Sequence, residues 1–193
     1  HGQSHVLRFY DELTPQQQTT LLEQIADIDF DELDTLTAEY VHKKPEFELP
    51  QNIEPPEIVP ARPKDEATVK LRAEAQARGE ELIAAGKVAA FVVAGGQGTR
   101  LGFEGPKGCF LGTPVAHKPL FQVFAEQILA TSKRAGAPVP WYIMTSPVND
   151  VPTRAFFRQY KYFGLDEKDV FFLVQGTMPA IGYDGKLLLA KKH

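Results

Sequence analysis

Three glycines and two cations are the residues of this 193-residue chain whose types and spacing could do chemistry. Gly95, Gly96 and Gly98 follow a short apolar run typical of a strand buried on both faces, and Arg100 and Lys107 come after them. Glycines let backbone N–H groups approach a bound phosphate, and cations neutralise its charge. The pattern therefore predicts a loop that binds a phosphorylated ligand; the alternative is a plain glycine turn with two solvated cations.

The spacing of this loop excludes two common phosphate-binding motifs. In a Walker A loop, GxxxxGK[ST], counting from Gly95 or Gly96 puts Arg100 or Leu101 where the second glycine belongs. In a dinucleotide fingerprint, GxGxxG, the third glycine would also fall on Leu101, and Gly102 comes one place late. Glycines and prolines recur from 105 to 114, so no helix follows directly. We expect a long loop that wraps its ligand and keeps its two cations well apart.

The motif from Gly95 to Lys107, GGxGTRLGxxxPK, resembles the signature loop of UTP-dependent sugar-1-phosphate uridylyltransferases. Among these the chain is most similar to the UDP-N-acetylglucosamine (UDP-N-acetylhexosamine) pyrophosphorylases. Val92 stands where the signature usually has Leu, a mild departure. Four further segments extend the resemblance over nearly the whole chain: Pro119–Gln122, Trp141–Ser146, Lys161–Gly164 and Gln175–Ala180.

This resemblance implies a reaction and two catalytic residues. The phosphate of N-acetylglucosamine 1-phosphate would attack the α-phosphate of UTP, and pyrophosphate would leave, a displacement that depends on positioning and charge neutralisation. Arg100 can clamp a phosphate with two parallel hydrogen bonds, and Lys107 supplies a point charge. Both are therefore expected to be catalytic.

The resemblance also implies the nucleotide-binding residues: Ala94, Gly95, Gly96, Gly98, Thr99 and Gln175. Ala94 and Gly95 would contact the uracil through their backbone. The side-chain amide of Gln175 would match the imide edge of the base, because an amide offers both a donor and an acceptor.

Mg²⁺ is the cofactor that the resemblance implies, and no metal ligand is assigned within these 193 residues. The family's metal-holding Asp, its Gly-Asn-Gly-Gly turn and its sugar pocket are expected downstream. We therefore expect this chain to be the N-terminal part of a longer enzyme, which alone binds UTP or UDP weakly and transfers no measurable uridylyl group. Two alternatives stay open: a UDP-glucose or broad-range UDP-sugar pyrophosphorylase, and a non-catalytic nucleotide-binding or interaction module.

Composition narrows the class of protein further. A hydrophobic fraction of 43% and a charged fraction of 24% are ordinary for a globular protein, and no apolar run is long enough to span a bilayer. The single Cys109 fits a reducing, cytoplasmic location and is expected to pack rather than react. The net charge of −4 divides into −10 for residues 1–66 and +6 for residues 67–193. A basic body suits an anionic small ligand, whereas its scattered cations argue against nucleic acid.

The fold that positions the loop is predicted to be α/β, a partial, GT-A-like, Rossmann-like nucleotidyltransferase sheet preceded by a small helical region. Strands are expected near 88–94, 139–146 and 170–175. Helices are expected at 65–85, 119–135 and 149–162, the last capped by Asn149 or Asp150. Strand–helix–strand repeats at this spacing predict right-handed crossovers and a parallel sheet, with the loop at its carboxyl edge.

The remaining residues divide the chain into 1–43, a helical region, 44–64, a proline-rich connector, and 65–193, the N-terminal part of a UTP-binding domain. Helices are predicted at 6–13 and 14–28, with Thr14 and Gln17 as a capping box, and a third from Asp29. We interpret this region as a helical cap rather than a partner-binding module. Near the end, Tyr183–Lys186 predicts a hairpin turn between two short strands.

Overall fold

The computed structural model describes residues 1–44, 48–63 and 65–191. The chain forms two compact units: the N-terminal unit, His1–Pro56 with Thr177–His193, and the sheet unit, Glu57–Gly176. Residues 177–191 thus group with the first helices of the chain, a long-range association that local sequence patterns do not report. None of the helices in the described ranges is long and apolar enough to cross a membrane.

The sheet unit contains three parallel strands in the order β1-β2-β3: β1 Ala90–Val93, β2 Trp141–Thr145 and β3 Val170–Val174. In register, Val92 lies beside Ile143, which lies beside Phe172. Three helices accompany the sheet, and their bounds are α3 Glu66–Ala84, α4 Leu120–Ala135 and α5 Asp150–Gln159. The predicted parallel sheet and its connecting helices are therefore confirmed.

One face of this sheet is the core of the unit. Trp141 and Ile143 of β2 are at most 1% exposed, and they pack against Phe121 of α4 and Phe157 of α5. The ring of Phe121 lies 5.0 Å from that of Phe157, which lies 5.4 Å from the indole of Trp141. Tilted and edge-to-face aromatic pairs at these distances are favourable beyond the area that they bury. Helices α4 and α5 are thus packed on the same face of the sheet.

The opposite face corrects the prediction that the first strand is buried on both faces. Phe91 is 59% exposed and Val93 is 68% exposed. Their neighbours across the sheet continue the apolar face, and the rings of Tyr142 and Phe171 stack on it at 4.8 Å. Parallel strands are rich in β-branched and aromatic residues on both faces, so the sequence cannot tell which face is covered.

The turn after α5 has an unusual backbone. Lys161, Tyr162 and Phe163 have φ of 49°, 52° and 55°, the left-handed region that non-glycine residues avoid, before Gly164 at 86°. The rings of Tyr162 and Phe163 lie 6.2 and 5.4 Å from that of Phe157, so packing offsets the strain. This turn ends the helix at Gln159, before the predicted residue 162.

The N-terminal unit contains helices α1 Pro15–Ala26 and α2 Phe30–Leu36, the latter continued by a π-helical turn, Thr37–Val41. Both predicted starts are confirmed: Thr14 and Gln17 form the capping box, and Asp29 accepts hydrogen bonds from the first turn of α2. The helix predicted at 6–13 is wrong. Two short 3₁₀ turns, Ser4–Leu7 and Tyr10–Glu12, stand there instead.

The C-terminal residues complete this unit. The predicted turn at Tyr183–Lys186 forms, with Gly185 at φ 74°, but its flanks pair through a single antiparallel bridge, Ile181 to Leu187, rather than as strands. Leu187 is buried with Val6 and Leu33 in a small apolar cluster. Residues 48–63 form no helix or strand, as their prolines predict, while residues 45–47 and 64 of the connector lie outside the described residues.

Candidate functional site

The candidate site lies at the carboxyl edge of the sheet, where open α/β sheets bind their ligands. Hydrogen bonding continues one residue past each outer strand. Ala94 N–H donates to Met144 O at 2.7 Å, and Gln175 N–H donates to Thr145 O at 2.9 Å. Gly95 and Gln175 therefore follow strands that stand two spacings apart, about 10 Å, on either side of β2.

The side chain of Gln175 spans that gap and reaches Gly95. A Cβ added to Gly95 would lie 2.9 Å from Gln175 Oε1, closer than side-chain carbons approach oxygen. A side chain at position 95 would therefore displace the amide of Gln175 from its place beside the loop. Gly95 and Gln175, two of the three residues that the resemblance assigned to the uracil, are thus close together in the structure, and the amide of Gln175 stands beside the backbone of the loop.

Two backbone hydrogen bonds join the two ends of the glycine-rich loop. Lys107 N–H donates to Gly96 O at 3.1 Å, and Gly98 N–H donates to Gly105 O at 2.8 Å. Gly98 has no room for a side chain, since an added Cβ would stand 2.7 Å from the ring of Phe103. Between these bonds the chain makes a short exposed 3₁₀ turn, Thr99–Leu101.

This closure returns Lys107 to the glycines. An added Cβ on Gly96 would be 3.7 Å from Lys107 Nζ, so the ammonium lies against the start of the loop. Arg100 and Thr99 lie on the 3₁₀ turn and are exposed. Among the described residues, neither Arg100 nor Lys107 forms an ion pair or a side-chain hydrogen bond. Both cations are therefore free to bind an anion.

Three consecutive backbone donors at the start of the loop are also free. Within the described part of the chain, the N–H groups of Gly95, Gly96 and Gln97 donate to no acceptor. Unpaired N–H groups beside a cation form a favourable environment for phosphate or carbonyl oxygens. Gln97 adds a buried side-chain oxygen, Oε1, that has no partner among the described residues. Sequence reasoning did not single out Gln97, because its burial depends on how the loop folds.

The carboxylate of Asp150 joins the end of β2 to the start of α5. Asp150, the first residue of α5, accepts a hydrogen bond from Thr145 Oγ1 at 2.6 Å and pairs with Arg154 Nε at 2.8 Å. Burial acts to raise the pKa of Asp150, but the hydrogen bonds from Arg154 and Thr145 outweigh it and hold that pKa below its ordinary value. The ionised carboxylate thus joins β2 to α5 beside the site.

Cys109, which lies two residues after Lys107, is buried, and burial raises the pKa of its thiol to about 11. A protonated, buried thiol is a poor nucleophile, so the expected packing role is the one that the structure favours.

The described residues contain no group of three or more His, Cys, Asp or Glu side chains placed to hold a metal ion.

A separate cleft of about 320 Å³ lies between β1 and α4. Its walls include Phe91, Phe124 and Ile128, with the polar groups of Gln127 and Thr131. Its lining includes none of the glycine-loop residues and no cation that would neutralise the charge of a phosphate.

Comparison with known proteins gives concordant matches. The family model described as UTP–glucose-1-phosphate uridylyltransferase matches residues 30–193. A UDP-N-acetylglucosamine diphosphorylase 2 of Arabidopsis thaliana is 37% identical over 98% of this chain. A UDP-N-acetylglucosamine pyrophosphorylase of Saccharomyces cerevisiae is 44% identical over 58% of it.

A solved structure agrees with these matches. The uridine diphosphate N-acetylglucosamine pyrophosphorylase of Trypanosoma brucei, in complex with an inhibitor, aligns with 99% of this chain at a TM-score of 0.69 and 26% identity. The chain spans 39% of that structure and 39% of the Arabidopsis protein, so it matches well under half of the length of these relatives.

Proposed function

The chain belongs to the UTP–glucose-1-phosphate uridylyltransferase family, and from that premise we propose that it binds UTP at the carboxyl edge of its sheet and serves uridylyl transfer to N-acetylglucosamine 1-phosphate. The observation that carries this proposal is the convergence of Gln175, the free N–H groups of 95–97 and Lys107 on one loop. The choice of N-acetylglucosamine as the sugar rests on the names of the relatives.

The uracil would be held between the backbone of Ala94 and Gly95 and the side chain of Gln175. The imide edge of uracil presents an N–H donor flanked by carbonyl acceptors. A side-chain amide offers an oxygen for that donor and an NH₂ for one carbonyl, while the free N–H of Gly95 offers a further donor. The close approach of Gln175 to Gly95 supports this arrangement, because one base could then meet both groups.

The triphosphate would lie along the loop, against Lys107 and the turn that carries Thr99 and Arg100. An oxygen of the sugar phosphate attacks the α-phosphorus of UTP. The bond between that phosphorus and the bridging oxygen breaks, and pyrophosphate leaves with the electron pair. Lys107 and Arg100 would stabilise the negative charge on the equatorial and leaving oxygens. No protein nucleophile is required, which agrees with the inert thiol of Cys109.

Mg²⁺, when bound, would neutralise phosphate charge. Its protein ligands would lie downstream of these 193 residues, as the resemblance implies. We also propose that the enzyme is cytoplasmic and acts on soluble nucleotide and sugar phosphate.

The proposal is tested by measuring pyrophosphate release from UTP and a panel of sugar 1-phosphates in the presence of Mg²⁺. The assay compares residues 1–193 alone with a protein of the relatives' length that contains them. We expect the longer protein to turn over N-acetylglucosamine 1-phosphate and the 193-residue chain to show no measurable transfer. Faster turnover of glucose 1-phosphate would select the UDP-glucose alternative, which the family description names. Absence of transfer by the longer protein would contradict the enzyme assignment.

A further inference from the structure

Asn149 is a fully buried polar residue that the proposed mechanism does not use. It is 0% exposed and stands directly before the first residue of α5. The sequence suggests that it caps this helix, but its side chain makes no capping hydrogen bond. Its amide instead reaches across the carboxyl edge of the sheet to the end of β1, more than fifty residues earlier in the chain.

The amide of Asn149 is fully engaged. Its Oδ1 accepts a hydrogen bond from Ser146 N–H at 2.8 Å, while Asn149 N–H donates to Ser146 O at 3.0 Å, which closes a tight turn after β2. Its Nδ2 donates to Ala94 O at 2.9 Å and to Gly96 O at 3.3 Å. A carboxamide has one acceptor oxygen and two N–H hydrogens, so it can accept the bond from Ser146 and donate to both carbonyls at the same time.

These bonds set the direction of the free donors in the loop. In a planar trans peptide the C=O of one residue and the N–H of the next point in opposite directions. With Ala94 O and Gly96 O turned toward Asn149, the N–H groups of Gly95 and Gln97 must point away from it. Gly96 O also accepts from Lys107 N–H at 3.1 Å, so one carbonyl links Asn149 to the backbone of the proposed catalytic lysine.

We propose that Asn149 is a positioning residue for nucleotide binding. It fixes the peptide groups of residues 94–97 and, through Gly96 O, the backbone of Lys107. The inference rests on the proposed function for the identity of the ligand, UTP. Without the amide, the two carbonyls lose a buried partner and the loop gains alternative orientations. Binding must then include the free energy of ordering the loop, and affinity falls.

The test measures UTP affinity by calorimetry and protection of the loop amides by hydrogen exchange, with the 193-residue chain. Two variants are compared: Asn149→Ala, which removes the amide, and Asn149→Asp, which places acceptors against both carbonyls. The control is Thr153→Ala, one turn along the same helix. Thr153 is also 0% exposed, but its hydroxyl has no partner among the described residues, so this variant loses packing without releasing the loop.

We expect both Asn149 variants to weaken UTP binding at least 10-fold at a temperature where circular dichroism shows them folded, and Thr153→Ala to change it less than 2-fold. The Asn149→Asp defect, taken as a ratio to wild type at each pH, should shrink from pH 8 to pH 5. Burial raises the pKa of a carboxyl, and its protonated form regains a donor. The Asn149→Ala defect should not change with pH.

Hydrogen exchange keeps this inference separate from the proposed function. Faster exchange of residues 95–107 in Asn149→Ala than in Thr153→Ala supports the positioning role even if wild type fails to bind UTP, a result that would count against the proposed function alone. Equal exchange in the two variants, or equal UTP affinity where wild type binds, would overturn the positioning role.

Discussion

Replacing Lys107 with Ala is expected to lower the rate of uridylyl transfer by about 10²–10³-fold and to leave the free energy of unfolding nearly unchanged. The side chain of Lys107 is exposed, and within the described residues it has no ion-pair partner, so its removal costs the fold little. Its ammonium lies against Gly96, where the phosphates would bind. Arg100→Ala, which removes the other free cation of the loop, should act in the same direction.

The rate is measured as pyrophosphate release in a protein of the relatives' length that contains this chain. Lys168→Ala is the matched control, because Lys168 is also exposed but pairs with Asp166 at 2.9 Å, outside the loop. The control should keep its rate within about 2-fold and its stability within about 0.5 kcal/mol. Near-normal turnover of Lys107→Ala would remove this lysine from the proposed role.

Replacing Gly108 with Ala is expected to destabilise the chain by about 3 kcal/mol, because the new methyl group overlaps a buried ring. An added Cβ would lie 2.3 Å from Cε2 and Cζ of Phe121. Phe121 is 1% exposed and packs against Phe157 at 5.0 Å and Trp141 at 6.2 Å, so it has no space to retreat. Gly108 also follows Lys107 directly, so the same contact sets where the loop meets the core.

Gly112→Ala is the control for this substitution. At Gly112 the nearest atoms to an added Cβ belong to Phe110, at 3.9 Å, which is ordinary contact. Its effect on stability should stay within about 0.5 kcal/mol. The comparison is made by urea unfolding followed by circular dichroism. Equal midpoints for the two variants would show that the core around Phe121 yields, and that the packing described for α4 is looser than the structure indicates.

Local patterns in the sequence were sufficient to predict the three parallel strands, the starts of α1 and α2, and the loop, but they failed at 6–13, where two 3₁₀ turns replace the predicted helix. Each depends on interactions within a few residues, such as the capping box of Thr14 and Gln17 or the apolar run before Gly95. Only the resemblance connected Gly95 with Gln175, by assigning both to the uracil, because no local pattern joins residues eighty positions apart.

The features that escaped prediction depend on long-range packing. Asn149 has the type and position of a helix cap, and its bonds to Ala94 and Gly96 exist only once β1 and β2 are paired. Lys161, Tyr162 and Phe163 have left-handed backbone although none of them is glycine or asparagine, the residue types that would predict it. Aromatic packing on Phe157 compensates the strain of this turn. The exposure of Phe91 in these 193 residues likewise depends on which elements cover that face of the sheet, and its neighbours in sequence do not report that.

The central claim, that UTP binds at the carboxyl edge between the glycine loop and Gln175, is tested most directly by a two-dimensional ¹H–¹⁵N NMR titration of the chain with UTP. We expect weak, saturable binding that shifts the backbone amides of Gly95, Gly96 and Gln97 together with the side-chain amide of Gln175. These are the donors that the structure leaves unpaired or places against the loop. Shifts confined to the cleft between β1 and α4, around Phe124 and Gln127, or no saturable shift at all, would contradict the account.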